Sequence, residues 1–346
     1  MPAAVADAVA WLESLSPWPR DGFGTQRMRE LLDRLGNPQR SFRAVHVVGT
    51  KGKSTAARRI ARTIGGPAYT SPHVSGWHER LDTDPEGFVR AVERVRAHAE
   101  AVGATQFETL TAAAFADFAA RGAAVAAVEA GLGGRHDATN VIDAPVVLLT
   151  NVGLEHTDVL GTTRERIAAE KLAVAPPAAT VVLPDEEFAH LVPGRRIVIG
   201  GGREAAAALL GRSDVELAPA TLPGRFERRR GGEIRDGAHT PEAADWLLAR
   251  LPEAGGYAVV ASILRDKDAD GILARLARAG PVLVATRSSN ERALPAEEVA
   301  ARARGRFRTV ATEPDPAAAL ARARTYGRPV LVTGSLYLLA DLAASD

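Results

Sequence analysis

The chain has 346 residues, with 43 lysines and arginines against 42 aspartates and glutamates, and a formal net charge of +1. Its 46% hydrophobic and 25% charged residues are typical of a globular protein of about two domains. Near neutrality and 5% aromatic residues argue against nucleic-acid binding, and the absence of cysteine excludes disulfides, thiolate metal sites and cysteine nucleophiles.

The N-terminal segment predicts an amphipathic helix and lacks the features of a secretory signal. Asp7 and Glu13 interrupt its apolar stretch, and no basic region precedes it. No apolar run in the sequence is long enough to span a bilayer. We therefore expect a cytoplasmic protein without a membrane partner.

Short β-branched runs alternate with alanine-rich helical runs through the first part of the chain. The alternation predicts an α/β domain, and strands this apolar favour a parallel sheet that is covered on both faces. The predicted strands are 44–48, 123–129, 145–150, 180–183 and 196–199, and the predicted helices are 54–64, 88–101, 108–120 and 164–172.

The segment 222–232 is basic and rich in turn residues, and the alternation begins again after it. Thr240 and Pro241 form a favourable N-cap and N1 pair for the first helix beyond the break. The sequence therefore predicts two α/β domains, residues 1–228 and 229–346. The second contains predicted strands 257–262, 281–285, 307–311 and 329–333, and helices 241–251, 270–279, 296–304, 316–326 and 335–343.

A glycine-rich loop, GTKGKST, runs from Gly49 to Thr55 between the first predicted strand and its helix. Such a loop directs backbone N–H groups and a helix N-terminus toward an anion. Lys53 can then reach terminal phosphates, and the Ser54 hydroxyl can face Mg²⁺. The spacing is shorter than in the full P-loop motif, so a glycine-rich turn with solvated lysines is the alternative. The strand before the loop and the helix after it favour phosphate binding.

Three further side chains follow predicted strands or lie on a predicted helix. Glu129 ends an apolar strand, where an acid can hold Mg²⁺ or be simply paired or solvated. His156 follows the next strand, and its neighbours Asn151 and Glu155 favour a metal role over a structural hydrogen bond. Lys171 lies in a helix, and the residues alone favour a solvated lysine paired with a glutamate.

Eight motifs occur in one order between Gly49 and Leu342, within a stretch of similarity that runs from about Gly22 to the C-terminus. They are GTKGKST, YTSPHVSGWHERL, TQFETLTAAAF, EAGLGGRHDATNVI, TNVGLEHTDVLGTTRERIAAEKLAV, LPGRFE, DGAHTP and VTGSLYLLADL. Their joint order resembles the dihydrofolate synthase/folylpolyglutamate synthase family of the Mur ligase superfamily. The resemblance implies an ATP- and pterin-binding P-loop domain of Mur-ligase type over 1–228. It also implies a smaller Rossmann-like glutamate ligase domain over 229–346.

The resemblance also implies a reaction. The family joins L-glutamate to a pterin carboxylate, either dihydropteroate or a reduced folate, at the expense of ATP. The γ-phosphate moves to the carboxylate, and the glutamate amine then displaces phosphate from the acyl phosphate. ATP, two Mg²⁺ ions and K⁺ are the implied cofactors. Catalysis would come from positioning and charge neutralisation without a covalent enzyme intermediate, and we expect a monomer.

The resemblance assigns residues to each part of this site. The implied nucleotide-binding residues are Gly49, Thr50, Gly52, Lys53, Ser54, Thr55, Arg225 and Asp236. Those implied for the pterin are Thr105, Gln106, Phe107, Glu108, His136, Asp137 and Ala138. The implied metal ligands are Ser54, Ser71, Glu129 and His156. The implied catalytic residues are Lys53, Lys171, which would be carbamylated, and His239.

The chain departs from the family pattern at Lys51 and Thr240, where the family has asparagine, and in a shortened segment at 199–222. The glutamate and adenine contacts are therefore the part of the site least fixed by the resemblance. Three alternatives remain: a Mur-type amide ligase for another acid or amino acid, a non-catalytic ATP- or pterin-binding paralogue, and a kinase or NTPase switch. A non-catalytic paralogue would have no physical need for all five of the residues Lys53, Ser54, Glu129, His156 and Lys171. The switch would leave the second domain without a role.

Overall fold

The computed structural model describes residues 2–19, 22–252 and 254–345. Its contacts form two compact units, Met1–Pro72 with Trp77–Ala220, and His73–Gly76 with Thr221–Asp346. Residues 221–228 thus group with the second unit, whereas the domain boundary inferred from the sequence stays a prediction. Within the described residues, no helix is long and apolar enough to cross a membrane.

A parallel sheet of six strands forms the centre of the first unit. The strands are β1 Arg43–Val48, β2 Ala68–Tyr69, β3 Val125–Glu129, β4 Val146–Leu149, β5 Thr180–Leu183 and β6 Arg196–Ile199. Their order across the sheet is β2-β3-β1-β4-β5-β6. The helices of this unit are α1 Ala3–Ser14, α2 Gln26–Arg34, α3 Lys53–Ile64, α4 Pro85–Val102, α5 Gln106–Ala120, α6 Thr157–Leu160, α7 Arg164–Leu172 and α8 Gly202–Leu210.

Strand β1 lies in the middle of this sheet and is buried on both faces. Val45 and Val47 pack with Ile60 of α3 and Leu209 of α8 on one face. Ala44, the residue before Val45, packs on the other face with the aromatic side chains of α5, as the two-residue period of a strand requires. The sheet is therefore covered by helices on both faces, as the apolar strands predicted.

The register of β1 brings three loops to one edge of the sheet. Val47 pairs with Glu129 of β3, and Val48 pairs with Leu149 of β4. Because the strands are parallel, the segments after β1, β3 and β4 all leave the sheet at their carboxyl ends. Ligands of open α/β sheets bind at this edge.

The second unit contains another six-stranded sheet. The strands are β7 Glu227–Arg228, β8 Ile234–Arg235, β9 Ala258–Ala261, β10 Val282–Ala285, β11 Thr309–Thr312 and β12 Val330–Thr333. Their order is β11-β10-β9-β12-β8-β7, and the pairs are parallel except for the antiparallel pair β7 and β8. The helices are α9 Pro241–Leu248, α10 Ala269–Leu276, α11 Ala296–Ala303, α12 Pro316–Arg324 and α13 Leu336–Ser345.

The predicted alternation of strands and helices is confirmed in both units, and β5, β6 and α7 match their predicted bounds. Helices α4 and α5 begin earlier than predicted because Asp84 and Thr105 cap them by accepting backbone N–H groups. The strand predicted at 307–311 lies instead at Thr309–Thr312. The prediction missed α2, α6 and α8. It also missed β2, β7 and β8, whose two residues carry no periodicity.

Candidate active site

The glycine loop after β1 fits its surroundings so closely that Gly49 accepts no side chain. Its φ is 144°, and an added Cβ would lie 2.0 Å from Oγ1 of Thr150. At the far end of the loop, Gly52 has φ 79° and is the N-cap of α3. The loop thus joins β1 to the N-terminus of α3, the arrangement that binds phosphate groups elsewhere.

Two residues that the sequence did not assign to the loop hold it in place. Oγ1 of Thr150 donates to the Lys51 carbonyl at 2.7 Å, and Nδ2 of Asn151 donates to the same oxygen at 3.0 Å. The Lys51 N–H donates in return to Oδ1 of Asn151 at 2.9 Å. The only signal for this clamp is the position of both residues just after β4, next to β1 in the sheet.

The hydroxyl and the acid predicted to face Mg²⁺ are in contact. Oγ of Ser54, in the first turn of α3, donates to Oε1 of Glu129 at 3.0 Å. The Ser71 N–H donates to Oε2 of the same carboxylate at 2.9 Å. Glu129 is buried. The structure therefore brings together three of the four predicted metal ligands, although Ser71 contacts the carboxylate through its backbone.

This donor set fits a magnesium ion shared with a nucleotide. Within the described ranges, no group of three or more His, Cys, Asp or Glu side chains converges to hold a metal. Mg²⁺ in proteins is usually bound by one or two carboxylates together with phosphate oxygens and waters, and it prefers hard oxygen donors. The Ser54 hydroxyl and the Glu129 carboxylate supply that kind of donor at the end of a phosphate-type loop.

His156, the fourth predicted metal ligand, lies on an exposed turn. Its backbone is in the left-handed region at φ 49°, which is uncommon for a residue with a side chain. It is the N-cap of α6, and its carbonyl accepts the N–H of Leu160 at 2.8 Å. Its role as a ligand stays a prediction.

Lys171 is buried, so the solvated helix lysine favoured by the residues alone is wrong. Its Nζ donates to the Gly49 carbonyl at 2.9 Å and lies 3.0 Å from Oε1 of Glu155. Nζ of Lys53 donates to the same Gly49 carbonyl at 3.0 Å. Burial lowers the pKa of Lys171, Glu155 opposes that shift, and the charge of Lys53 adds to it. Both predicted catalytic lysines therefore meet at the start of the glycine loop.

The residues predicted for the pterin at the start of α5 also fix local structure. Glu108 and Thr105 form a capping box, in which Oε2 of Glu108 accepts the Thr105 N–H at 2.8 Å. Arg27 donates to Glu108 from Nε at 2.9 Å, a partner that the sequence did not reveal. Nε2 of Gln106 donates to the Leu12 carbonyl at 3.0 Å.

Phe107 borders the second predicted pterin segment, the loop after β3. An added Cβ on Gly131 would lie 2.5 Å from the Phe107 ring, so loop and ring are in close contact. Asp137 and Ala138 are buried in this loop, whereas His136 is exposed. The two segments predicted to bind one substrate therefore meet at Phe107.

In the second unit, described by itself, Asp236 holds the turns that carry Arg225 and His239. Its Oδ2 accepts the Phe226 N–H at 2.8 Å, and its Oδ1 accepts the Ala238 N–H at 2.9 Å. Burial raises the pKa of Asp236, and the hydrogen bond from Phe226 opposes that shift. Nδ1 of His239 donates to the Gly237 carbonyl at 2.7 Å, because a carbonyl oxygen can only accept.

Comparisons with known proteins connect this geometry to a family. The Mur ligase, glutamate ligase domain matches residues 224–336. The dihydrofolate synthase/folylpolyglutamate synthase of Mycobacterium tuberculosis is 31% identical, over 81% of this chain and 77% of its own length. The folylpolyglutamate synthase of Lacticaseibacillus casei is 30% identical, over 96% of each chain. This chain belongs to the dihydrofolate synthase/folylpolyglutamate synthase family.

Solved structures of the family share the fold. The M. tuberculosis folylpolyglutamate synthase complexed with ADP has a TM-score of 0.87 and 27% identity, covering 99% of this chain and 98% of its own. The bifunctional folylpolyglutamate synthase/dihydrofolate synthase from Yersinia pestis, complexed with AMPPNP and a Mn ion, has a TM-score of 0.84 and 26% identity, covering 100% and 99%. The predicted family and the predicted Mur-ligase architecture are confirmed.

The residues at the two departures from the family motifs both make local hydrogen bonds. The backbone of Lys51 is hydrogen-bonded by Thr150 and Asn151, so these contacts do not require asparagine at position 51. Thr240 caps α9 through its side chain, which accepts the Ala243 N–H at 3.2 Å, and threonine and asparagine are both effective N-caps.

A cavity of about 670 Å³ lies at the opposite ends of the strands in the first unit and is separate from the glycine loop. It is lined by Arg43 and Ala44, where β1 begins, and by Asp143, just before β4. Ligands of parallel sheets bind at the carboxyl ends of the strands. The glycine loop, rather than this cavity, is therefore the candidate active site.

Proposed function

We propose that this protein is an ATP-dependent ligase that joins L-glutamate to a pterin carboxylate. The substrate would be dihydropteroate, a reduced folate, or both. The proposal rests on the contact between Ser54 and Glu129 at the end of the glycine loop. These two side chains supply oxygen donors for magnesium where the phosphates of a nucleotide would lie. Membership of the family supports the choice of acid, and the glutamate ligase domain match supports the choice of amino acid.

The loop and Lys53 would bind the phosphates of ATP. The positive end of α3 and the loop N–H groups favour an anion. Lys53 is the first residue of that helix and adds a positive charge at the same end. Transfer of the γ-phosphate to the pterin carboxylate brings anionic groups together, so cationic neutralisation by Lys53 would lower the barrier. The glutamate amine would then attack the acyl carbon, and inorganic phosphate would leave.

Two Mg²⁺ ions would be held by Ser54 and Ser71 hydroxyls, the Glu129 carboxylate and the His156 imidazole. Bound there, Mg²⁺ supplies positive charge beside the transferring phosphoryl group. The AMPPNP and Mn complex of the Y. pestis relative supports a nucleotide with a divalent metal in this family. We also expect dependence on K⁺ and a monomeric enzyme.

Lys171 would react with CO₂ to become a carbamate. The ammonium group first loses a proton, and the neutral amine then forms the N–C bond with CO₂ and releases a second proton, so a cation becomes an anion. Burial favours the neutral amine by lowering the pKa of Lys171. The charge of Lys53 favours an anion at this position, whereas the Glu155 carboxylate, 3.0 Å from Nζ, would have to turn away from the carbamate. The carbamate would then orient the metal ligands beside the glycine loop.

From the second unit, Arg225 and Asp236 would contact the nucleotide, and His239 would position the reacting groups. The pterin would lie against Phe107 and the loop that contains Asp137. These roles follow the predicted domains, in which residues 1–228 bind ATP and pterin and residues 229–346 form the glutamate ligase domain.

A coupled phosphate-release assay tests the proposal. Purified protein with ATP and Mg²⁺ is given dihydropteroate or tetrahydrofolate together with each of a panel of amino acids. We expect phosphate release that requires both a pterin acid and L-glutamate. Release with ATP alone would indicate a kinase or NTPase switch, and release with another acid or amino acid would indicate a different Mur-type ligase. Either result would overturn the proposal.

A further inference from the structure

A buried histidine of the central strand contacts the loop that follows β3. His46 lies on β1 between Val45 and Val47 and has no exposed surface. Its Nε2 is 2.8 Å from Oγ1 of Thr139. The same Oγ1 is 2.5 Å from Oδ1 of Asp137. The three side chains thus form a continuous chain from the sheet to residues 131–140, which we call the substrate loop.

The direction of these hydrogen bonds follows from the chemistry of the groups. A carboxylate only accepts, so the Thr139 hydroxyl donates to Asp137. The hydroxyl has then used its proton, and its oxygen accepts the Nε2–H of His46. This assignment leaves Nδ1 of His46 without a proton, and Nδ1 has no hydrogen-bond partner within the described residues. Burial lowers the pKa of His46 to about 3, so the ring stays neutral and keeps this tautomer.

Asp137 organises the backbone of the substrate loop. Its Oδ2 accepts the Leu132 N–H at 2.9 Å, and its Oδ1 accepts the Thr139 N–H at 3.0 Å. The Asp137 N–H donates to the Gly134 carbonyl at 3.0 Å. An added Cβ on Gly131 would lie 3.0 Å from Oδ2 of Asp137. A rotation of this carboxylate would therefore disturb both ends of the loop.

A histidine at this position lowers the stability of the fold, which an apolar residue would not do. The neighbouring strand residues are valines, and an apolar side chain would fill the site without a buried, unpaired nitrogen. An apolar side chain could not make the hydrogen bond that His46 donates to Thr139, and this bond offsets part of the cost of burying the ring. Neither the glycine loop nor the family motifs assign His46 a function.

We propose that His46 is a positioning residue for the substrate loop. Its Nε2–H fixes the Thr139 hydroxyl, which fixes the Asp137 carboxylate, and the loop is thereby held in the shape that binds the pterin. The identity of the substrate rests on the proposed function, whereas the control of loop geometry rests on the contacts alone. His46 itself would touch no substrate atom.

Four variants separate positioning from packing. His46→Leu removes the donor, and Thr139→Val removes the hydroxyl with little change in shape. His46→Gln keeps a donor, because its Nε2 is as many bonds from Cβ as Nε2 of histidine. Thr109→Val is the matched control, since Thr109 is also fully buried in the first unit and its Oγ1 has no hydrogen-bond partner in the described part of the chain.

Steady-state kinetics give the first measurement. We expect His46→Leu and Thr139→Val each to raise KM for dihydropteroate about tenfold, with KM for ATP changed less than about twofold. The double variant should add little to either single change, because both remove the same connection. His46→Gln and Thr109→Val should remain near the wild type. A parallel rise in both KM values, or an unchanged KM for dihydropteroate, would overturn the proposal.

Hydrogen exchange gives a second measurement that does not depend on turnover. The amides of Leu132 and Thr139 donate to Asp137, so a peptide covering 130–141 should exchange faster in His46→Leu and Thr139→Val than in the wild type, His46→Gln or Thr109→Val. Unchanged exchange in both disrupting variants would overturn the positioning role. A wild-type protein without pterin-dependent phosphate release would instead refute the proposed function, and the exchange result would still decide the role of His46.

Discussion

The Ser54 hydroxyl donates a 3.0 Å hydrogen bond to Oε1 of Glu129, although 75 positions separate the two residues in the sequence. The contact exists because β1 and β3 are paired in parallel, with Val47 opposite Glu129. The first turn of α3 and the last residue of β3 consequently meet at the carboxyl edge of the sheet. A phosphate-type loop and a buried acid are brought together by strand register rather than by local sequence.

Glu129→Gln should remove most of the activity. Glutamine has nearly the shape of glutamate but lacks its charge, and its amide N–H₂ cannot accept one of the two hydrogen bonds that the carboxylate oxygens now receive. We expect turnover to fall about 100-fold and the Mg²⁺ concentration for half-maximal rate to rise, measured by phosphate release over a Mg²⁺ titration.

Glu86→Gln is the control for this substitution, because Glu86 is exposed in the first turn of α4. It should leave both the rate and the Mg²⁺ dependence unchanged. A Glu129→Gln protein with a near-normal rate would mean that another group holds the metal.

Lys171→Ala should lose activity that short carboxylic acids partly restore. If Lys171 acts as a carbamate, the variant lacks an anion, and acetate or propionate can occupy the space left by the side chain. We expect turnover to fall about 10- to 100-fold, as for the loss of a group that orients metal ligands, and to rise again with added acid. The measurement is phosphate release against acid concentration.

Lys53→Ala is the matched control, because its proposed role is that of a cation. The same acids should give no recovery there. Recovery of Lys171→Ala by an alkylamine, without recovery by a carboxylic acid, would show that Lys171 works as an ammonium group paired with Glu155.

The sequence predicted the glycine loop correctly because strand, loop and helix are contiguous in it. The burial of Lys171 could not be predicted in this way, since its partners Gly49 and Glu155 are contributed by other segments. The clamp by Thr150 and Asn151 was missed for the same reason, because it depends on β4 lying beside β1. A site formed by contiguous residues can thus be predicted from the sequence, whereas contacts between strands can be predicted only when the order of the strands in the sheet is known.

Acid should destabilise the folded protein through His46. Burial lowers the pKa of this histidine from its ordinary 6.5 to about 3. Between these values the unfolded chain binds a proton that the folded protein does not, so the free energy of unfolding falls as the pH falls. The contribution is about 1.4 kcal/mol per pH unit below 6.5, hence about 2 to 3 kcal/mol by pH ~4.5.

His46→Gln checks this prediction, because glutamine keeps the hydrogen-bond donor and does not titrate. Urea unfolding at pH ~7 and pH ~4.5 should show a smaller loss of stability in the variant, by about 2 kcal/mol. An equal loss in both proteins would assign the acid sensitivity to other groups.

Glu233→Gln should destabilise the second unit through a buried ion pair. Nε of Arg235 lies 2.7 Å from Oε1 of Glu233, and both side chains are almost fully buried, at 2% and 4% exposure. Nη2 of Arg324 approaches the other oxygen at 2.7 Å. Neutralising the acid removes the carboxylate charge that both arginines contact at a buried site, and breaking a buried ion pair costs about 3 kcal/mol or more. Urea unfolding should show that loss.

Glu298→Gln is the control, because Glu298 forms an exposed i, i+4 pair with Arg302. This substitution should change the free energy of unfolding little. Similar effects from the two substitutions would mean that solvent reaches the Glu233 cluster.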